Sequence, residues 1–216
     1  IQLSQYYGAK DFENLRKSLA HSYRLTAFIA AGVLILSQSF ASLVLTGLHT
    51  PSNIIGMSLL YLRIIFCGIP ATAAYNMFAS ALRAMGNSKT PLTAMIIASV
   101  LNVSLDILFV AGFGWGVAGA AIATVIAQSF SAVYCFLILR RIDIVHLTRA
   151  DFMPASGMNA RLMKLGIPVV FQNIIIGVGG LVVQYVINGY GFLFVAGFTA
   201  TNKLYGCLLY TSPSPR

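Results

Sequence analysis

Residues 91–139 read PLTAMIIASVLNVSLDILFVAGF, GWG and VAGAAIATVIAQSFSAVYCFLIL, two apolar stretches of 23 residues joined by Gly114-Trp115-Gly116. Together they hold one side chain of the Asp, Glu, Lys and Arg types, Asp106. A helix rises about 1.5 Å per residue, so each stretch is long enough to cross the ~30 Å hydrocarbon layer of a bilayer. No water is present there to bond free peptide groups, and a helix satisfies them internally. The glycines allow a tight turn between the two. The stretch therefore predicts an all-α, polytopic transmembrane helical bundle.

Working outward, three more complete runs of this kind occur at Leu25–Leu48, Ile55–Leu82 and Gly166–Gly189. A further run begins near Phe192 and stops early. The second run, Ile55–Leu82, exceeds one span and is expected to tilt or to project beyond the bilayer. The whole chain of 216 residues is 58% hydrophobic and only 9% charged, with a mean hydropathy of +0.82. A soluble domain carries about 25% charged residues, so both a water-exposed globule and a disordered chain are excluded. Ile1 is not an initiator methionine, and no signal peptide is visible. The chain ends in Thr211-Ser-Pro-Ser-Pro-Arg216. The expectation is a fragment, with residues 207–216, and Leu208–Arg216 in particular, a non-native tail.

The formal charge of +9 does not indicate nucleic acid, because the cations are placed by side. Lys10, Arg16, Lys17 and Arg24 precede the first run. Arg83 and Lys89 link the second and third, and Arg140, Arg141, Arg149, Arg161 and Lys164 link the fourth and fifth. The alternate connections, Thr46–Asn53, Gly112–Gly116 and Asn188–Phe192, hold no Lys or Arg. By the positive-inside rule the basic side is expected to be cytoplasmic in a plasma or inner membrane. Gly86 suits a left-handed helix stop, and Thr90-Pro91 reads as an N-cap with its first helical residue. Ala118, Gly119, Ala120, Ala121 and Ala123 are small enough for close helix packing.

Cys67, Cys135 and Cys207 are single, as are His21, His49 and His146. Neither a disulfide framework nor a zinc site follows from such spacing. No phosphate loop, catalytic dyad or nucleophile elbow is present to support an enzyme, and no cofactor is expected.

Charges inside a bilayer cost about 2.5–3.5 kcal/mol on insertion scales, and their presence points to function. Three lie within the spans: Arg63, Asp106 and Lys203. Asn102 and Asp106, at i and i+4, share a helix face. Asp106 lies about 22 Å from Pro91, and Thr124 lies about 10 Å from the start of the next span, so the three can share a depth. Asn76, roughly 15 Å from Gly86, can join them. A carboxyl among neutral amides and a hydroxyl is suited to gain and lose a proton. The alternative is a structural ion pair with Arg63, about 12 Å down its helix at comparable depth. Gln172, Asn173, Gln184 and Asn188 line the fifth span and suit either a polar cavity or packing.

Several stretches in series resemble the multidrug and toxic compound extrusion (MATE) family of antiporters. They are Ser4-Gln-Tyr-Tyr-Gly-Ala-Lys10, Gly68-Ile-Pro70 with Tyr75-Asn76, and Leu82-Arg-Ala-Met-Gly-Asn-Ser-Lys-Thr-Pro91. Leu101-Asn102 with Leu105-Asp106, Ala118 to Thr124, Gly166-Ile-Pro168 and Val195-Ala-Gly-Phe-Thr199 complete the series. The resemblance implies a twelve-helix, two-lobe transporter about twice this length, monomeric when complete. Residues 1–141 would hold the end of helix 2 through helix 6, 142–164 the linker between lobes, and 165–206 helix 7 with part of helix 8. It further implies that Asn102, Asp106 and Thr124 belong to an ion-coupling cluster, with Tyr61 and Asn76 as further members. Arg63, Gln172 and Lys203 are candidates for the cavity or an ion pair. Sodium-coupled relatives carry a carboxylate on helix 7, and Val169–Gly177 has none, so protons are expected ahead of sodium. The implied function is export of small organic, often cationic, compounds, with membrane lipid as the other partner. A lipid-linked oligosaccharide flippase and a non-transporting membrane scaffold or receptor are the alternatives.

Overall fold

The computed structural model describes residues 2–47, 55–145 and 158–188, together with Phe198 and Thr201. Apart from Phe198 and Thr201, the sixth run from Phe192 lies outside the described residues, as do Lys203 and the tail 207–216. The chain divides into a unit of residues 1–159 and a unit of residues 160–216.

In the first unit, α1 (Gln2–Gly8) leads into α2 (Phe12–Gly47), followed by α3 (Ile55–Cys67) and α4 (Ile69–Ala84). Then come α5 (Lys89–Asp106), a π-helical segment (Ile107–Gly112) and α6 (Gly116–Arg140), with one 3-10 turn at Asp143–Val145. The last helix, α7 (Met158–Asn188), belongs from Ala160 onward to the second unit and contains Pro168. Among the described residues, five helices or joined pairs are long and apolar enough to cross a membrane: Phe12–Leu43, Ile55–Ala84, Lys89–Gly112, Gly116–Arg140 and Leu162–Gly180. The described residues contain no strand.

Three boundaries differ from the sequence expectation, each for a local reason. First, α2 starts at Phe12 rather than Leu25, because Asp11 caps it: Asn14 donates from its backbone N–H (3.2 Å) and its amide (2.7 Å) to the Asp11 carboxylate. The amide bond of Asn14, and then its N–H, hold the Asp11 carboxyl below the usual carboxylate range. At about 54 Å, α2 outruns the hydrocarbon layer, and its polar first turns lie before the apolar part. Second, the Ile55–Leu82 run is two helices, broken at Gly68. Pro70 has no N–H to bond the carbonyl one turn back, and Gln38 from α2 donates to the Arg63 carbonyl (2.9 Å) beside the break. Third, α5 begins at Lys89, and its cap is not Thr90. Instead the Asn87 side-chain oxygen accepts from the Thr90 N–H at 3.1 Å. Asn serves here because its short amide reaches an N–H three residues on.

Gly86 closes α4 as its sequence context suggests. Its φ is +83°, its N–H donates to the Arg83 carbonyl (3.1 Å), and the Asn87 N–H reaches the Leu82 carbonyl (2.9 Å). This is the Schellman arrangement, which a residue bearing Cβ enters at a cost. Gly86→Ala is expected to destabilise the protein by about 1 kcal/mol, read as a lower melting temperature in detergent.

Helix α6 is the centre of the unit and packs against α3, α4 and α5. Its buried residues include Gly119, Ala123, Ala127, Ser131, Cys135 and Leu139, one every four positions. Four residues turn about 400°, so this row drifts by about 40° per step and faces successive neighbours along the helix. At one end Gly119 meets Phe109. At the other, Cys135 and Leu139 join Leu19, Ala81, Leu82, Ala94 and Val145 in the core cluster. Small side chains are needed because lipid-soluble helices associate by close van der Waals contact. The outward faces remain apolar, as with Phe28, Ile35 and Leu36 on α2, which suits lipid tails.

Candidate functional site

A cleft of about 330 Å³ opens between α4, α5 and α6. Its size falls within the ordinary range for small-molecule sites. Thr72, Tyr75 and Asn76 come from α4, Met95, Ser99 and Asn102 from α5, and Thr124, Gln128 and Ser131 from α6. None of these carries a formal charge.

The cleft exists because α6 is bridged to α5 and to α4 by polar side chains. Asn102 donates its amide to the Thr124 hydroxyl at 3.4 Å, and that hydroxyl donates to the Ala120 carbonyl at 3.0 Å. One turn along α6, Thr72 donates to the Gln128 carbonyl oxygen at 2.6 Å. A third link is the Ser131 hydroxyl, 3.2 Å from the Ala127 carbonyl and 3.5 Å from the Ala94 carbonyl across the interface. Inside a bilayer such bonds are worth about 0.6–2 kcal/mol each.

Most of the remaining donors are turned back to the main chain. Ser99 bonds the Met95 carbonyl at 2.9 Å, and the Tyr75 hydroxyl bonds the Pro91 carbonyl at 3.3 Å. The Gln128 amide nitrogen and the Asn76 side chain make no hydrogen bond among the described residues. Asn76 is exposed; Gln128 is half-buried.

Asp106 does not line the cleft. It sits one turn beyond Asn102, at the last residue of α5, and is half-buried. Its Oδ1 is buried and has no hydrogen-bond partner among the described residues. Directly after it the helix widens into the π-helical segment, where the Phe113 N–H reaches the Leu108 carbonyl at 3.0 Å. Such segments recur at functional sites. Phe109, Phe113 and Trp115 then stack on one another, with centroids 5.1–6.1 Å apart, against the turn at Gly114 (φ +69°) and Gly116 (φ +54°).

The structure thus brings Asn76, Asn102 and Thr124 together, with Asp106 adjacent on the same helix. Arg63 and Tyr61 are elsewhere: both are exposed on α3, and Arg63 forms no ion pair with Asp106. The only ion pair shown among the described residues is Lys17–Glu13, at 2.6 Å. Gln172 is exposed on α7, and Asn173 donates to the Val169 carbonyl of its own helix at 3.0 Å. The side chains of Gln184 and Asn188 and the whole of Lys203 fall outside the described residues. Thr72 and Gln128 were missed from sequence, although Gln128 lies four residues after Thr124 and so on its face. Among the described residues no group of three His, Cys, Asp or Glu residues is placed to hold a metal ion.

Comparison with known proteins follows the same lines. The model of the MatE family matches residues 1–108. The probable multidrug resistance protein YpnP of Bacillus subtilis is 33% identical over 202 residues, covering 94% of this chain and 45% of that protein. The multidrug export protein MepA of Staphylococcus aureus is 24% identical over 205 residues, with 94% and 45% covered. The chain therefore spans about half the length of the curated relatives it matches. Among solved structures, a MATE protein in its bent conformation matches with a TM-score of 0.83 at 22% identity, covering 93% of this chain and 46% of that one. A MOP superfamily transporter from Pyrococcus furiosus gives 0.84 at 22%, covering 94% and 46%. These two likenesses concern the fold.

Proposed function

The chain belongs to the MatE family, and on that premise we propose that the whole protein is a secondary active exporter of small organic compounds, driven by protons entering the cell. It is a multi-pass membrane protein of the MATE transporters. The basic helix ends, with Arg83, Lys89, Arg140 and Arg141, face the cytoplasm. Residues 1–141 belong to the first lobe and 165–206 open the second. The two lobes rock about a central cavity to give alternating access.

The observation that supports proton coupling is the Asp106 carboxylate, with a buried oxygen that no described residue bonds or neutralises. Asp106 is the only acidic side chain on α5 and α6, so it is the group there that can exchange a proton. Asn102 and Thr124, bridged one turn away, couple that event to the contact between α5 and α6. A bound proton shifts an exporter's equilibrium only if the two states hold it with different affinity. Because Asp106 lies where α5 changes to a wider helix, repacking there alters the environment of the carboxyl. Val169–Gly177 on α7 has no carboxylate to hold sodium.

The test is efflux from proteoliposomes holding the full-length protein, with norfloxacin or ethidium as probe. An imposed pH gradient is expected to drive export, and a protonophore to stop it. Export that follows a sodium gradient and ignores pH would overturn the coupling, and a protein that moves neither probe under either gradient would favour a scaffold.

A further inference from the structure

We propose that Gln128 is a specificity-determining residue of the cleft, its amide N–H groups reading a carbonyl or carboxylate acceptor on the exported compound. This rests on the exporter reading above. The contact of 2.6 Å between Thr72 Oγ1 and Gln128 Oε1 is a normal O–H···O length and shorter than N–H···O bonds usually are. The Gln128 oxygen is therefore the atom facing Thr72, and the amide nitrogen is left to point elsewhere.

Gly68 completes the cradle. A Cβ at that position would lie 3.0 Å from Val125 Cγ2 and 3.3 Å from Gln128 Oε1, so the break between α3 and α4 lets the backbone come up against this amide. Thr72 also lies 3.1 Å from the Gly68 carbonyl, but has a single hydroxyl proton to give. Thr72 bonds Oε1 and Gln128 lines the cleft, so Nε2 keeps both of its hydrogens for a ligand there. The other hydroxyls described above are committed to carbonyls, and Asn76, though free, is exposed and not held. The Asn102 amide has already given one N–H to Thr124, so an acceptor entering among these neutral side chains meets in Gln128 the held amide with both hydrogens unspent.

Two probes separate acceptor recognition from general binding: norfloxacin, with a ketone and a carboxylate, and tetraphenylphosphonium, with no acceptor. In proteoliposomes of the full-length protein, Gln128→Leu is expected to raise the ratio of norfloxacin KM to tetraphenylphosphonium KM about five-fold. Norfloxacin turnover at saturation should change much less than KM. Gln128→Glu, which puts an acceptor where the donor was, should move the ratio further. Thr72→Val should move it the same way by less, and needs no change to Gln128 itself. Ratios unchanged in all three overturn the proposal. The same ratios, read as binding constants by titration of the purified proteins, decide it apart from transport. A Gln128-dependent binding ratio in a protein that exports neither probe would sink the exporter reading alone, and a wild type that binds neither probe would overturn both.

Discussion

Asp106→Asn in the full-length protein is expected to lower pH-gradient-driven export at least about ten-fold, in line with coupling free energies of about 1–3 kcal/mol between linked sites. Asparagine keeps the volume and the hydrogen-bonding shape of the side chain but cannot change its charge. The Asp106 oxygen that has no partner separates the expected effect on stability from the effect on transport. The substitution breaks no hydrogen bond or ion pair made among the described residues, so melting should be unchanged. Arg63→Gln supplies the contrast. If Asp106 were the buried half of an Arg63 pair, either single substitution would be strongly destabilising and the double variant would recover. The structure has no such pair, and the two effects on stability are expected to add within about 0.5 kcal/mol. Full coupled export by Asp106→Asn would remove the carboxyl from the mechanism. A loss of melting temperature alongside lost export would mark it as structural instead.

What the sequence revealed here follows from which physical constraints act one residue at a time. The Pro91–Phe113 and Val117–Leu139 spans were legible because a bilayer admits only internally bonded backbone over a known thickness. Gly86 was legible because a helix stop at positive φ is a local matter. Depth along a helix was legible too, by counting residues from the ends, and it put Asn76, Asn102 and Thr124 near one level. Counting gives height but not direction. Arg63 was counted to a comparable level, yet it is exposed on α3 and makes no ion pair with Asp106. Direction depends on which face each helix turns to α6, and that is set by the buried row from Gly119 to Leu139. The row's four-residue period was present in the sequence and would have placed Gln128 beside Thr124. The break at Gly68 was obscured because Pro inside a membrane helix is tolerated without a break when neighbours bond the freed carbonyls. The π-helical segment has no residue signature at all. It lies where Phe109 meets Gly119 on the next helix.

That contact carries the largest expected loss of stability. A Cβ added at Gly119 would lie 2.9 Å from Phe109 Cβ, 3.1 Å from Trp115 Cβ and 3.2 Å from the Phe109 carbonyl carbon. The Phe109 atoms are backbone or adjoin it, so no rotamer change removes the clash. Nor can the ring swing aside freely, since Phe109 is stacked between Phe113 and Trp115 at 6.1 and 5.1 Å. The helices must separate, and overpacking of this kind costs about 1–3 kcal/mol. Gly119→Ala is therefore expected to lower the melting temperature in detergent by several degrees. Gly32→Ala, where nothing lies within 4 Å of the added carbon, should not lower it. The consequence extends past stability, because the π-helical segment begins at the residue after Asp106. Pushing Phe109 off α6 alters the turn of helix on which the carboxyl sits, so Gly119→Ala should also shift the pH at which export is half-maximal. A variant that melts early but keeps the wild-type pH profile would show that the aromatic turn only holds the two helices together, with no link to the carboxyl.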